Sequence, residues 1–503
     1  LAAGVSFSYE TWLSGLYGWL QNTLHTPGLG NGAQALVSLV FMVLLAVSAY
    51  WLGRLVSLGA AWLRWPARDV AMGIGAALAA TFVFQLVPLA WALVLEWPQF
   101  FYHPPAITAR ATTSPADKPD VYYIVLDRYT SSDVLGQQFG FDNSDFVNFL
   151  SSLGYYTNPS AHNNYPYTTM SIASTMDADY LNDIVGSFST KPEQTVVPFN
   201  QTTHESPVAQ KFKDLGYKYT LIGNWYETSN SSGLADETYQ RTDTMTLFDH
   251  PFILNNFPKN FLTQGPFWRF IRGGLRIGSF KLFDMVDYQS VDMTHYELQS
   301  LRDVAAKPSG GRFIFAHILV PHDPYFFNAD GSPNPNPDGD SVGKPVKQKY
   351  LGQVQFINSQ MKDILTQINT ASSGKAVVVL QSDEGPYPTQ LGDDFDGVDE
   401  AGEISNGDMR KWTDASLAMK FGNLAAYHIP AADFSTQADA ADSVNVFRLV
   451  FNTYFGTGLP YLPDCYYAYP DGRGRSELFA DITPRLTGQP SPEACRVDGS
   501  VKE

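Results

Sequence analysis

Two uncharged apolar runs limit what this chain can fold into more than any other feature of it. Residues 35–52 (ALVSLVFMVLLAVSAYWL) number 18 and residues 70–95 (VAMGIGAALAATFVFQLVPLAWALVL) number 26, with no Asp, Glu, Lys or Arg in either. A helix of about 20 apolar residues crosses the hydrocarbon core of a bilayer, so both runs are predicted to be transmembrane helices. Buried helices of a globular domain are the competing reading, but such helices usually carry a charged outer face, which neither run offers. Arg54, Arg64 and Arg68 fall between the runs, and residues 1–53 hold no Lys or Arg. The positive-inside rule then puts that loop in the cytoplasm and the chain after Glu96 outside it. Upstream, TWLSGLYGWLQNTL (11–24) mixes aromatics and leucines with polar residues, as an interfacial helix or a helix packed on a globular domain would. The sequence opens on Leu1, so a processed or truncated start, with more membrane helices before it, belongs to this expectation.

The remaining plan follows from composition shifts. Residues 1–102 form the membrane region, and 103–119 (HPPAITARATTSPADKP) read as a linker with little to bury. Residues 120–465 read as an extracytoplasmic domain and 466–503 as a tail. The first hundred residues hold three acids and three bases, so the net charge of −17 falls on residues 101–503. Such a surface repels nucleic acid and excludes it as a partner. Cys465 and Cys495, the two cysteines, are compatible with one disulfide outside the cytoplasm or with two free thiols.

Short apolar runs recur between helical patterns: VYYIVL (121–126), KYTLIG (218–223), RFIFAHIL (312–319), KAVVVLQ (375–381) and NLAAYHI (423–429). Helices are predicted over 143–153, 206–215, 296–306, 347–369 and 441–455. Continuous apolar strands alternating with helices give an α/β fold, with a largely parallel central sheet covered by helices on both faces. In such sheets the chemistry gathers beyond the carboxyl ends of the strands.

Two strands run into acids there: Asp127-Arg128 after the first, and Ser382-Asp383-Glu384-Gly385 after KAVVVLQ. Each acid alone reads equally as a turn or helix cap. Together, converging from one sheet, their oxygens suit a hard divalent ion. Between them in sequence, Tyr165-Pro166-Tyr167-Thr168-Thr169-Met170-Ser171 leads into a short apolar helix. A threonine there is a cap, or a nucleophile placed where helix amides attract a phosphate or sulfate. His317 sits within an apolar strand, as a core histidine does, while His322 follows in the loop Pro321-His322-Asp323-Pro324-Tyr325. His162 and His428 read as structural.

The order of Asp127, then Thr168-Thr169-Met170-Ser171, then Ser382-Asp383-x-Gly385 resembles the alkaline phosphatase and sulfatase superfamily. Within it, the order resembles the membrane-bound lipoteichoic acid synthases and phosphoethanolamine transferases. The resemblance spans roughly residues 118–465 and implies a metal-dependent phosphoryl-group transferase or hydrolase acting on a membrane-lipid or cell-envelope substrate. It implies Asp127, Asp383 and Glu384 as metal ligands with Thr168. It also implies Thr168 as nucleophile with Thr169 as the alternative, His322 as a proton donor, and Arg128 and His317 at the substrate. The true sulfatases carry proline two residues and arginine four residues after their nucleophile; Met170 and Ile172 stand here, so formylglycine chemistry is not expected. The family's motif histidine is replaced by Glu384, which would favour Mn or Mg over Zn, or mark a silent domain serving as a subunit of a membrane complex.

Overall fold

The computed structural model describes residues 101–184, 196–241, 291–308, 310–337, 346–388, 409–437, 442–468 and 479–495. It also describes strand segments within 244–285 and a few positions between 54 and 99. The chain divides into two compact units, Leu1–Trp97 with Thr242–Tyr288, and Pro98–Arg241 with Gln289–Glu503. The expected interfacial helix (11–24) and first apolar run (35–52) lie outside the described residues, and of the second run (70–95) only Met72 is described. Among the described residues no helix is long and apolar enough to cross a membrane.

In the larger unit the strands are β1 (Val121–Leu126), β2 (Tyr156–Thr157), β3 (Lys218–Ile222) and β4 (Glu237–Tyr239). The smaller unit then contributes β5–β8 (Thr244–Leu247, His250–Ile253, Leu275–Ile277 and Phe280–Met285), an antiparallel sheet. The larger unit continues with β9 (Arg312–Ile318), β10 (Val377–Gln381) and β11 (Ala425–His428). Its sheet runs β2-β11-β10-β1-β9-β3-β4. Neighbours pair in parallel from β10 through β4, whereas β11 and β2 are antiparallel. The sheet is therefore largely parallel, with an antiparallel edge.

The helices used below are α1 (Ser132–Phe139), α2 (Ser144–Ser152), α3 (Thr168–Asp177), α4 (Val196–His204), α5 (Pro207–Asp214), α6 (Val291–Ala306), α7 (Val346–Ser372), α8 (Asp414–Phe421) and α9 (Val446–Phe455). Every residue of β1 is buried, because both faces of the sheet are covered. Tyr122, Ile124 and Leu126 pack on one side with Leu135, Phe146, Leu298, Ile357 and Ile364 of α1, α2, α6 and α7. Val121, Tyr123 and Val125 pack on the other with Met176, Phe212, Phe447 and Phe451 of α3, α5 and α9. That is the period-two alternation of a strand, with both sets apolar because the strand is central. Phe212 stacks on Phe313 at 4.6 Å and Tyr123 on Phe315 at 5.2 Å, fixing α5 and the strands in register.

Residues 103–119 hold no helix or strand, and Thr112 and Lys118 bond to the Phe455 and Leu215 carbonyls. Helix α9 starts at Val446 rather than 441, since Asp442 and Asn445 bend the chain into the turn that precedes it. Cys465 and Cys495 form a disulfide that closes the tail onto the domain.

Candidate metal centre

Because β1, β9, β10 and β3 are parallel, their carboxyl ends deliver side chains to one rim of the sheet. Asp127 follows β1, His317 is the next-to-last residue of β9, and Asp383 lies two residues past β10. All three are buried, and one ligand atom from each lies within 4.8 Å of the others. His317 Nε2 stands 3.6 Å from Asp127 Oδ2, too long for a hydrogen bond. Two ligands bound to one ion at about 2.1 Å in a tetrahedral site are about 3.4 Å apart.

The polar atoms facing this gap have no protein partner. Asp127 Oδ1, Asp383 Oδ2 and His317 Nε2 are buried and make no hydrogen bond. Buried polar atoms are almost always satisfied, so orphaned atoms on three clustered residues mark a candidate site for a cation. The tautomer of His317 sharpens the point. Ser229 Oγ donates its one proton to Asn224 Oδ1 at 3.0 Å, so at 2.8 Å from His317 Nδ1 it must accept. Nδ1 then carries the ring proton and Nε2 presents a lone pair toward the carboxylates, which is the arrangement of a metal-bound imidazole. Asn224 Nδ2 donates to the His317 carbonyl at 2.8 Å and anchors the same residue from behind.

Asp383 Oδ1 accepts the backbone N–H of Arg128 at 3.1 Å and of Glu384 at 2.9 Å, leaving Oδ2 for the gap. Burial and the neighbouring Asp127 and Glu384 charges push the Asp383 carboxyl well above the usual range. Burial acts on Asp127 in the same sense, but His322, His317 and Arg128 together overcome it and hold that carboxyl at about 2. The two carboxylates are thus pushed in opposite directions by their surroundings.

Thr168 is the first residue of α3; the cap position is Tyr167, which makes no side-chain cap bond, so the Thr168 hydroxyl is not spent as a cap. It is buried beside the Asp383 carboxylate, within hydrogen-bonding reach. Thr169 turns elsewhere, toward Tyr226 (3.2 Å) and Thr228 (3.0 Å). His322 is part-exposed on the loop after β9, close enough for its charge to act on Asp127.

Three of the expected site residues have partners of their own. Glu384, expected at the metal, lies between two cations instead: Arg128 Nε donates to Oε1 at 2.9 Å, and Lys420 Nζ stands 2.8 Å from Oε2 as an ion pair without hydrogen-bond alignment. His317, expected at the substrate, supplies the third atom of the cluster. Arg128, also expected at the substrate, has its guanidinium engaged by Glu384 and by Asp323 at 2.5 Å, over the Tyr387 ring. Lys420 comes from α8, is fully buried, and lies 3.5 Å from the centre of the Tyr387 ring. Burial lowers its ammonium to about 8 against the pull of Glu384. The motif glycine has a steric cause: a Cβ on Gly385 would stand 1.8 Å from the Met419 carbonyl oxygen, where α8 approaches the motif. His428, on β11, donates through Nδ1 to the Ala376 carbonyl at 2.8 Å, and His162 bridges Gly422; neither belongs to the cluster.

Comparison with known proteins gives a match to the sulfatase family model over residues 123–417. No curated protein sequence matches significantly. Among solved structures, the C-terminal periplasmic domain of EptC from Escherichia coli aligns at 11% identity and a TM-score of 0.45, covering 76% of this chain and 97% of that one. The integral membrane lipooligosaccharide phosphoethanolamine transferase A of Neisseria meningitidis aligns at 12% and 0.44, over 87% and 79%. A putative sulfatase from Bacteroides thetaiotaomicron aligns at 12% and 0.41, over 75% and 76%. The family model covers more than half of the 503 residues, and on that match this chain belongs to the sulfatase family of the alkaline phosphatase and sulfatase superfamily.

Proposed function

We propose that this protein is a membrane-anchored, metal-dependent phosphoryl-group transferase or hydrolase in which Thr168 is the nucleophile. Asp127, His317 and Asp383 would hold the ion, and the observation that carries the reading is the set of three orphaned buried ligand atoms around one gap. Two carboxylates and an imidazole suit Zn or Mn, and with Glu384 committed to its cations the case against Zn loses its ground. When bound, a divalent ion would polarise the phosphoryl group and lower the pKa of the threonine hydroxyl.

The chain's own residues supply the rest. Thr168 Oγ1, at the amino end of α3, forms the bond to phosphorus as the bond to the leaving oxygen breaks. Its proton leaves to water, and His322 protonates the leaving oxygen. A water or an acceptor hydroxyl then attacks the phosphothreonine, freeing Thr168 and returning the protons. The two apolar runs support lipid-linked or cell-envelope substrates, because they would hold the domain at a membrane surface.

A silent domain acting as a subunit of a membrane complex draws support from one feature, the replacement of the motif histidine by Glu384. Intact-mass analysis after incubation with phospholipids separates the two. A phosphoryl adduct on wild type that Thr168→Ala abolishes supports the enzyme, and its absence with metal bound supports the silent domain.

A further inference from the structure

A cavity of about 160 Å³ lies beside the antiparallel edge of the main sheet, lined by Asn158, Asn423, Asp442, Ser443 and Asp464 among others. It shares no residue with the Asp127, His317 and Asp383 cluster. Its chemistry is oxygen-rich and lacks a counter-charge. Asp442 and Asp464 both line the cavity, and two neighbouring carboxylates are stabilised by a proton or a cation between them. No Lys or Arg is among the described residues that line the cavity. His162, which also lines it, supplies no charge either, because burial lowers its pKa to about 4.

Independent of the acids, Asn423 is 1% exposed and donates through Nδ2 to Asn163 Oδ1 at 2.6 Å and to Ser443 Oγ at 3.4 Å, while its Oδ1 has no partner. Asp442 repeats the pattern: Oδ1 accepts the Asn445 N–H at 2.8 Å, and Oδ2 is buried without a partner. Buried acceptors are rarely left without a donor or an ion.

We propose that this cavity is a hard-cation site, in which Ca2+ is held by the side-chain oxygens of Asp442, Asp464 and Asn423. An all-oxygen set of carboxylates and an amide carbonyl is the donor set that calcium takes. Asp442 opens the turn into α9, and Asp464 adjoins the disulfide residue Cys465. Asn423 bonds Asn163, five residues ahead of Thr168. The ion would clamp the last helix and the tail to the loop that leads into α3.

The test uses the full chain in detergent, stripped of metal by a chelator, with terbium as the probe and Ca2+ as its competitor. Tyr427 and Tyr466 line the cavity and would sensitise terbium emission. An Asp383→Asn background removes the contribution of the candidate metal centre. Terbium emission that survives Asp383→Asn, is displaced by Ca2+, and weakens about tenfold or more in affinity with Asp442→Asn or Asp464→Asn is the expected result, with a Ca2+-dependent rise in Tm lost in the same variants. Asp464 is exposed, so Asp464→Asn keeps the test available should Asp442→Asn fail to fold. Emission lost with Asp383→Asn alone, indifference to both tail substitutions, or displacement by Zn but not by Ca2+ would overturn the proposal.

Discussion

Replacing Glu384 with Gln separates two roles that the motif position could play. Glu384 is 2% exposed, accepts from Arg128 Nε at 2.9 Å, and faces Lys420 Nζ at 2.8 Å. Glutamine keeps the shape and one acceptor oxygen but removes the negative charge between two cations, one of them fully buried. Deleting one partner of a buried ion pair costs about 3–5 kcal/mol. For a domain of roughly 350 residues, an unfolding entropy of about 2.1 cal/mol/K per residue sums to about 0.7 kcal/mol/K, so Tm should fall by about 4–7 °C. Thermal unfolding of the full chain, read together with metal content, is the assay. The expected outcome is a lower Tm with metal retained. Glu384→Gln combined with Lys420→Met should recover much of the loss, because the second charge goes with the first. The penalty should also shrink above about pH 8, where the Lys420 ammonium, already lowered by burial, can deprotonate. Metal lost with Tm unchanged would make Glu384 a ligand and refute the counter-ion role.

Three further outcomes follow from the same geometry. Thr168→Ala should abolish any phosphoryl adduct and turnover, whereas Thr169→Ala should lower activity only modestly, since Thr169 bonds Tyr226 and Thr228 rather than facing the carboxylates; equal loss in both would count against Thr168 as nucleophile. Asp177 closes α3, and burial with the Asp179 charge raises its carboxyl from 3.8 to about 7 although Arg448 opposes the shift. A raised carboxyl destabilises the fold once ionised, so its cost grows as pH rises from about 4 to 7; Asp177→Asn should therefore raise Tm at pH 8 and leave it nearly unchanged at pH 4, with about 4 kcal/mol as the upper bound. Removing the disulfide by Cys465→Ala with Cys495→Ala, which opens a separation of 30 residues, should cost about 3–4 kcal/mol in thermal unfolding of the oxidised protein.

The strands were legible because each is a short apolar run bounded by turns or polar residues, and the acids at two of their ends were legible as chemistry because parallel strands share one functional rim. The direction of β11 was not, since NLAAYHI carries the same apolar pattern whether it runs parallel or antiparallel. Strands β5–β8 were missed for want of comparable apolar runs; FKLFDM mixes charge with its hydrophobes. His317 read as a core histidine because an apolar strand surrounds it; it is buried, but its Nε2 makes no hydrogen bond. What makes it a candidate ligand is Ser229 and Asn224, 88 and 93 residues away, which settle its tautomer, and no local pattern carries that information. Glu384 read as a ligand by its place in the motif; its partner Lys420 arrives from another helix 36 residues on, at the point where Gly385 lets that helix approach.

The most direct test of the metal centre is metal content by mass spectrometry on the purified full chain, comparing wild type with His317→Ala and Asp383→Ala. About one divalent ion per chain is expected in wild type, lost in both variants while the fold is retained. No ion in wild type, or an ion that persists without His317 and without Asp383, would contradict it.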